Sequence, residues 1–546
     1  MSKVNCYEMG SMRFAEAEEI RNSTTEVFLN EECKCGGVPL LSDGNHMWVD
    51  GKDTNTLCVS TPGGGKSRRI CTPTLLSDIA AGNSIIVTDP KGELLKSTYY
   101  FLKKHNYNIK TINYRDPLRG NRWNPLYKGA LHFKNGREDL AAEEFSEIGH
   151  CIYQQLHSEK DPFWEIAAEN IFTGYALLAC HHVEPENVTL GLIYRMFLDG
   201  EKRMGSERYL DQYLTDCEDE TLRQALSDIT TAPRETRASI ASVFSSQLSK
   251  LIINKSIDYM LTGTSFSPEE FAEKKTALFI CLRDESSTYS SLVSLMVHEL
   301  YTGLIDYAEK NSGRLEKTVD FILDEFSNFP KILDMDNKIS SCRSRNIRFF
   351  LFIQSLFQLY SVYGENVSQT LLQCCDNWIC LQSRDLKILQ QFSERCGDIY
   401  GEYSQEKRPL LSAAAIQHLS KKDGECLFLY GSEYPYVAEL PDRSLYMEKL
   451  GIKELKKLPE VKKGAELQEN VFSLMEYVKR TRDEKIKEIL MKDEDMESPV
   501  SVEKLVTKID AKIAELELEG KMAKENSGAE TKNVDDKMSD SEATPA

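Results

Sequence analysis

The sequence Ser60-Thr61-Pro62-Gly63-Gly64-Gly65-Lys66-Ser67 follows a short apolar run and precedes a segment with apolar residues at helical spacing. It fits the P-loop pattern, except that Ser60 stands where the first glycine is usual. In such a loop the glycines let backbone N–H groups turn towards phosphate oxygens, while the ammonium of Lys66 reaches the outer phosphates and the hydroxyl of Ser67 binds Mg²⁺. The order of strand, glycine loop and helix therefore predicts a nucleotide site at Thr61, Pro62, Gly63, Gly64, Gly65, Lys66 and Ser67.

A second predicted strand, residues 319–323, ends in two adjacent acids, Asp324 and Glu325. Beside a P-loop this is the Walker B arrangement. We expect Asp324 to hold Mg²⁺ through water and Glu325 to orient and deprotonate the attacking water. A third strand, residues 348–353, ends at Gln354, whose amide is our candidate sensor of the γ-phosphate.

Three arginines, Arg343, Arg345 and Arg348, lie just before or at the start of this third strand. We expect them to be exposed cations near a subunit edge. Either one of them, with Arg345 as the candidate, is an arginine finger for a neighbouring subunit, or they bind nucleic acid. The residues alone favour neither alternative.

The order of the predicted elements indicates an α/β fold with a mostly parallel sheet. Strands are absent from the pattern between about 141 and 266, where helical periodicity replaces them, and they resume near 277. The predicted divisions are an N-terminal segment 1–53, a nucleotide-binding domain in two parts, 54–140 and 269–442, an inserted all-α domain 141–268, a charged helical region 443–524 and a disordered tail 525–546.

Within the C-terminal region, apolar residues recur at helical spacing from Val502 to Leu516. This stripe predicts a helix that either packs on the main body or another copy, or docks a partner.

Composition excludes several classes of protein. The 546 residues are 41% hydrophobic and 28% charged, which excludes collagen-like and wholly disordered chains. No apolar run approaches the roughly 18 residues of a membrane-spanning helix, and the N-terminus lacks a secretory signal, so we expect a cytoplasmic protein. The 15 cysteines lack paired zinc-site spacing and are expected to be reduced thiols.

The net charge of −19 argues against a protein that binds nucleic acid over its whole surface, but one segment is basic. Residues 91–137 carry eleven basic side chains against Glu93 and Asp116, a local charge of +9. Tyr107, Tyr114, Trp123 and Tyr127 are interleaved with them. The segment is either a surface that tracks DNA and stacks its bases, or a basic outer face that balances the acidic remainder.

An ordered series of motifs resembles the type IV coupling proteins of the TraG/TraD kind, which are ATPases of conjugative transfer and type IV secretion. The series covers roughly residues 50 to 440. It comprises the P-loop, Thr88-Asp89-Pro90-Lys91-Gly92-Glu93-Leu94, Asp161-Pro162-Phe163-Trp164, Thr231-Ala232-Pro233 with 237–240, Asp284-Glu285-Ser286-Ser287-Thr288-Tyr289, Asp324-Glu325-Phe326, and Arg343-Ser344-Arg345 through Gln354-Ser355.

The resemblance implies a RecA-like P-loop ATPase core that carries an all-α domain and assembles as a homo-hexamer. It also implies ATP and Mg²⁺ as ligands, single-stranded DNA joined to a relaxase as the substrate, and type IV secretion channel components as partners. The family usually has an N-terminal membrane anchor, whereas this sequence shows none. Either a membrane-anchored partner places the protein at the cytoplasmic face of the membrane, or the protein is a soluble member or a truncated reading.

Two other functions fit the same residues. One is a DNA pump of the FtsK/HerA kind. The other is a nucleotide-binding scaffold that docks the relaxase with little turnover.

Overall fold

The computed structural model describes residues 12–153, 162–282, 288–400, 407–461 and 472–492. Within these ranges the strands β1 to β16 are, in chain order, Thr25–Phe28, Pro39–Ser42, His46–Val49, Asn55–Val59, Ser84–Thr88, Asn108–Asn113, Arg203–Met204, Glu207–Arg208, Thr276–Cys281, Val319–Leu323, Ile347–Ile353, Cys375–Cys380, Asp398–Tyr400, Lys407–Pro409, Glu425–Tyr430 and Tyr436–Glu439.

The helices α1 to α21 of the same ranges are Ala17–Ser23, Thr72–Ala81, Glu93–Lys104, Tyr127–Lys134, Glu138–Tyr153, Phe163–Cys180, Leu190–Glu201, Tyr209–Thr215, Glu220–Ala225, Ser227–Thr231, Arg234–Ile252, Lys255–Met260, Pro268–Glu273, Ser290–Asn311, Met335–Ser341, Leu356–Tyr363, Glu365–Gln373, Leu386–Cys396, Ala413–Gln417, Arg443–Leu450 and Leu474–Lys492. A π-helical turn, Ser67–Cys71, joins the P-loop to α2.

A nine-stranded sheet forms the centre of the fold, in the order β16-β15-β12-β4-β11-β10-β5-β9-β6. From β12 to β6 all neighbours pair in parallel, whereas β15 and β16 add to one edge in antiparallel orientation. Every residue of β4, β5, β10 and β11 is buried, as expected for parallel strands covered on both faces. This confirms the predicted α/β fold with a mostly parallel sheet.

The sheet order places the predicted site residues at one edge. β4 lies beside β11, β11 beside β10, and β10 beside β5. Because parallel strands end at the same edge, the segments that follow these four strands are neighbours. The P-loop, Gln354, the Asp324-Glu325 pair and Asp89 therefore share the carboxyl edge of the sheet.

The N-terminal segment forms a separate three-stranded antiparallel sheet in the order β1-β3-β2. Its apolar side chains, including Val27, Leu40 and Met47, belong to the same hydrophobic core as Leu75 of α2 and Ile85 of β5.

The described chain divides into two compact units. The sheet unit takes its described residues from 12–128, 147–153, 247–282, 288–400 and 407–461. The helical unit takes them from 129–146, 162–246 and 472–492. The predicted domain boundaries, with an inserted domain at 141–268, stay a prediction. The expectation of no strands in this region is wrong in one detail, since β7 and β8 form a two-residue hairpin.

The C-terminal helix α21 packs against α7 and α8 inside the helical unit. Leu474 at its start is fully buried, and Phe472 just before it stacks on His182 with ring centroids 4.4 Å apart. Tyr477 contacts the same histidine at 4.4 Å. A small aromatic cluster therefore attaches this helix to the unit.

No helix in the described ranges is long and apolar enough to cross a bilayer. Three features of the sequence analysis lie outside those ranges: Asp161 and residues 284–287 of the family motifs, the apolar stripe from Val502 to Leu516, and the tail 525–546.

The structure corrects the interpretation of the basic segment. Tyr107, Tyr114 and Trp123 are each at most 5% exposed, and Trp123 donates its indole N–H to Glu299 at 3.1 Å. Buried rings cannot stack on bases, so the prediction of a base-stacking surface from these aromatics is wrong. Several of the basic side chains are also paired with carboxylates: Lys110 with Glu270, Arg119 with Asp116 and Glu460, Lys128 with Asp306, and Lys134 with Glu184.

Candidate nucleotide site

The P-loop follows β4 as a tight turn, which is fixed by hydrogen bonds within its own backbone and to the loop that follows β12. Gly64 donates its N–H to the carbonyl of Thr61 at 2.9 Å, and Thr61 donates to the carbonyl of Gln382 at 2.8 Å. A Cβ on Gly64 would lie 2.3 Å from Oγ of Ser60. The serine that departs from the P-loop pattern is therefore accommodated because residue 64 has no side chain.

Three backbone donors of this loop are free to bind an anion. Gly63, Gly65 and Lys66 donate their N–H groups to no oxygen in the part of the chain that the structure describes. Gly65 has a φ of +103°, a region that glycine enters at little cost. Unpaired N–H groups at the start of a helix favour phosphate, since they carry the positive end of the helix dipole.

Lys66 lies between the two Walker B acids. Its Nζ is 3.1 Å from Oδ1 of Asp324 and 2.5 Å from Oε1 of Glu325, and the lysine is 7% exposed. Burial opposes the charge of Lys66, but the two carboxylates outweigh burial and raise its pKa. For Asp324, burial disfavours the charged carboxylate and raises its pKa, and the nearby Lys66 offsets this effect only in part. The lysine is therefore protonated and available to bind phosphate.

Glu325 is held by three side chains from three segments. Lys66 binds Oε1, while Gln354 and Asn328 both donate to Oε2, the latter at 3.1 Å. Its backbone has φ 58° and ψ 40°, a left-handed conformation that is uncommon outside glycine and is found at functional sites. The predicted base and the predicted sensor, Gln354, are thus in direct contact.

The donor set suits Mg²⁺ as well as phosphate. Ser67 Oγ donates to Oδ2 of Asp324 at 3.5 Å, so a hydroxyl and a carboxylate oxygen already face each other beside the P-loop. Magnesium prefers such oxygen ligands and keeps several waters, which is consistent with only two protein groups here. The residues present therefore fit a nucleotide with its magnesium ion.

Asp89, for which the sequence suggested no role, forms the wall of the cleft on the β5 side. Its Oδ2 accepts the N–H of Leu95 at 2.9 Å and so caps the start of α3. Burial raises the pKa of Asp89 to about 7, against the opposing hydrogen bonds from the backbone of α3. This carboxyl titrates near neutral pH inside the nucleotide cleft.

The cleft has a volume of about 180 Å³ and is lined by P-loop residues, Asp89, Lys91, Asp324 and Glu325. A larger cavity of about 690 Å³ lies in the helical unit, beside His182 and Phe472. The smaller cleft is the candidate nucleotide site because it combines unpaired N–H donors, a buried lysine and two acids. Chemistry, and not volume, distinguishes the two cavities.

The arginines that the sequence analysis proposed as a finger or as nucleic-acid ligands do not line this cleft. Arg345 precedes β11, at the amino edge of the sheet, and donates to the carbonyl of Gly313 at 2.8 Å. It is therefore at the opposite edge from the P-loop of its own chain, and its role as a finger for a neighbouring subunit stays a prediction. Arg343 is paired with Asp376 at 3.2 Å.

Arg348 was expected to be exposed, and this is wrong. It is 3% exposed and binds Asp320 through Nε at 2.7 Å and NH2 at 2.8 Å. NH2 also lies 3.4 Å from Oδ1 of Asp78. The arginine is buried between the sheet and α2 by its contacts with these two acids. In this position it cannot act as an arginine finger or bind nucleic acid.

The sheet order and the P-loop at its carboxyl edge define the fold of a RecA-like P-loop NTPase. The plasmid coupling protein TrwB in complex with a non-hydrolysable ATP analogue has the same fold, with a TM-score of 0.61 at 16% sequence identity over 83% of this chain and 97% of that one. TrwB in complex with ADP and Mg²⁺ gives the same values, a TM-score of 0.61 at 16% identity over 83% and 97% of the two chains.

The sequence profile of the family described as Type IV secretory system Conjugative DNA transfer matches residues 6–420. The chain belongs to this family, which confirms the resemblance drawn from its motifs.

Two relatives are similar to this chain at low sequence identity. VirD4 of Agrobacterium fabrum is 22% identical over 361 residues, which cover 64% of this chain and 50% of that protein. The conjugal transfer protein TraG of Rhizobium radiobacter is 20% identical over 425 residues, 73% of this chain and 63% of that protein. The chain thus spans only about half to three fifths of the length of these relatives.

Proposed function

We propose that this chain is an ATP-hydrolysing coupling protein of conjugative DNA transfer and type IV secretion, which recruits a relaxase–DNA substrate and drives it to the membrane channel. The observation that carries the proposal is the convergence of Lys66, Asp324, Glu325 and Gln354 beside three unpaired P-loop N–H groups. Membership of the conjugative DNA transfer family supports coupling over an FtsK/HerA-like pump.

The contacts of Lys66 suggest how the site is switched on. In this structure its ammonium neutralises both Walker B acids. Phosphate oxygens bound at the loop N–H groups would compete for the same ammonium and release Oε1 of Glu325. That oxygen would then accept a proton from the attacking water while Gln354 and Asn328 hold Oε2 in place.

Ser67 and Asp324 are the residues that would hold Mg²⁺. When bound, the ion neutralises charge on the phosphates and positions them. The protein contributes the hydroxyl and the carboxylate, and the burial of Asp324 excludes competing water from one side.

Steady-state ATP hydrolysis by the wild type, Lys66→Ala and Glu325→Gln, with and without single- and double-stranded DNA, tests the proposal. We expect Lys66→Ala to lose nucleotide binding, and Glu325→Gln to bind ATP but lose turnover by about 100-fold or more. Lys104→Ala, an exposed lysine at the end of α3, is the matched control and should behave as the wild type.

We expect DNA to stimulate turnover and salt to reduce this stimulation. ATP binding without turnover under every DNA condition would refute the motor and support the docking scaffold. One observation favours that alternative: both oxygens of Glu325 are already engaged.

The partners are part of the same proposal. By family membership the chain would act as a homo-hexamer on DNA joined to a relaxase, with type IV secretion channel components and a membrane-anchored partner at the membrane. Light scattering of the purified protein with and without ATP and DNA measures the assembly. A protein that stays monomeric in all of these conditions would count against the ring.

A further inference from the structure

The turn 420–424, which precedes β15, lies at the same edge of the sheet as the P-loop. β15 runs antiparallel to β12, with Leu427 opposite Cys380, and β12 runs parallel to β4, with Cys380 opposite Val59. The start of β15 therefore meets the ends of β12 and β4. Sequence separation hides this placement, because the turn follows the P-loop by more than 350 residues.

Arg69, on the turn of helix that follows the P-loop, attaches the 420–424 turn to the nucleotide site. Its NH2 donates to the carbonyls of Lys421 and Lys422, each at 3.2 Å, and its NH1 donates to the carbonyl of Leu440. The turn is also closed on itself, since Gly424 donates its N–H to the carbonyl of Ser420 at 3.0 Å. Its backbone is thus fixed relative to the P-loop.

Within this turn the ammonium of Lys421 extends over the P-loop. A Cβ on Gly63 would lie 3.9 Å from Nζ of Lys421, and apart from Gly63 and its two chain neighbours no other atom of the described residues comes within 4 Å of that point. Lys421 is exposed, and no carboxylate of the described residues is ion-paired with it. An unpaired cation beside the positive end of a helix is unfavourable unless an anion lies between them.

We propose that Lys421 is a second cationic ligand of the nucleotide's phosphate chain, approaching the P-loop from outside while Lys66 approaches it from within. The proposal rests on the proposed function, since it assigns a further ligand to the same ATP site. An ammonium near Gly63 has the charge and the reach to bind a phosphate oxygen held by the unpaired N–H of that residue.

Equilibrium binding of MgATP and MgADP to the full chain tests this assignment, with Lys421→Ala, Lys421→Arg and Lys422→Ala compared at two salt concentrations. We expect Lys421→Ala to weaken both nucleotides about tenfold and to reduce the dependence of binding on salt. Lys421→Arg should recover most of the affinity, because it retains the charge. Lys422→Ala is the matched control, since its carbonyl binds the same arginine but its ammonium is not within 4 Å of the Gly63 position.

The outcomes separate this proposal from the function on which it rests. If the wild type binds nucleotide and Lys66→Ala does not, the ATP site is established. Unchanged affinity of Lys421→Ala would then overturn the role of Lys421 alone. Equal weakening by Lys421→Ala and Lys421→Arg would also overturn it, because the effect would not depend on charge. A wild type that binds no nucleotide would refute both proposals.

Discussion

Replacing the buried arginine of the sheet unit should destabilise the protein and not merely inactivate it. In Arg348→Met the side-chain length is kept, but Asp320 loses two hydrogen bonds of 2.7 and 2.8 Å and Asp78 loses its cation. Both acids are completely buried, and Asn83 is the donor they retain, at 2.8 Å from Asp320 and 3.3 Å from Asp78. The variant therefore leaves two buried carboxyl groups without a counter-charge.

Breaking a buried ion pair from one side costs about 3–5 kcal/mol. For a unit of this size such a loss lowers the melting temperature by about 10 °C. Arg345→Met is the matched control three residues away, because Arg345 is 31% exposed at its side chain and pairs with Glu309 at 3.3 Å. A partly exposed pair contributes below about 1 kcal/mol, so the control should melt within about 3 °C of the wild type.

The pH dependence of the fall in melting temperature of Arg348→Met gives a second check. Burial raises the pKa of Asp78, with a further increase from Asp320, and Arg348 opposes both. Removing the arginine removes the effect that opposes this increase, so the folded variant holds its carboxyl protons to higher pH than the wild type does. The unfolded chain releases them near pH 4 in both proteins, so the stability of the variant falls further as pH rises above that value. The melting deficit of Arg348→Met should be larger at pH 7.5 than at pH 5. A variant that melts like the wild type and has lost only ATP hydrolysis would refute the stabilising role of the buried ion pair. It would instead support Arg348 as the arginine finger.

Two further changes test separate parts of the structure. Asp89→Asn should become more stable relative to the wild type as pH rises from 5 to 8, by about 2–3 kcal/mol, because burial raises the pKa of Asp89 to about 7 and ionisation inside the cleft is costly; parallel melting curves across this range would contradict it. Leu474→Ala should weaken the attachment of α21 by about 2–5 kcal/mol, seen as faster amide exchange across 474–488, while the exposed Lys487→Ala should leave exchange unchanged.

The nucleotide site could be predicted because its parts follow strands of one parallel sheet. Lys66 follows β4, Asp324 follows β10 and Gln354 follows β11, and parallel strands end at a common edge. Each residue type also has a specific chemistry, so short motifs were enough to predict that these residues lie together, while their roles stay predictions. Contacts such as the one between Gln354 and Glu325 then follow from strand order.

Side-chain direction could not be predicted in the same way. Arg348 and Trp123 lie in polar or basic stretches, which favour exposure, yet both are buried by partners from other segments. The acid that pairs with Arg348 at 3.4 Å, Asp78, is 270 residues away in the chain. Local composition carries no information on such a partner, so the expectation of an exposed cation failed.

What the sequence by itself determined is the chemistry of the loop and of the strand ends: glycines that free N–H groups, a lysine, and two acids after an apolar strand. Only the tertiary structure decided which distant groups surround them. The antiparallel return of β15 places Lys421 over the P-loop. Packing of α2 on the sheet places Asp78 beside Arg348. The reason is physical: strand propensity and motif chemistry are local, whereas the direction in which a chain returns to a sheet depends on packing across the whole fold.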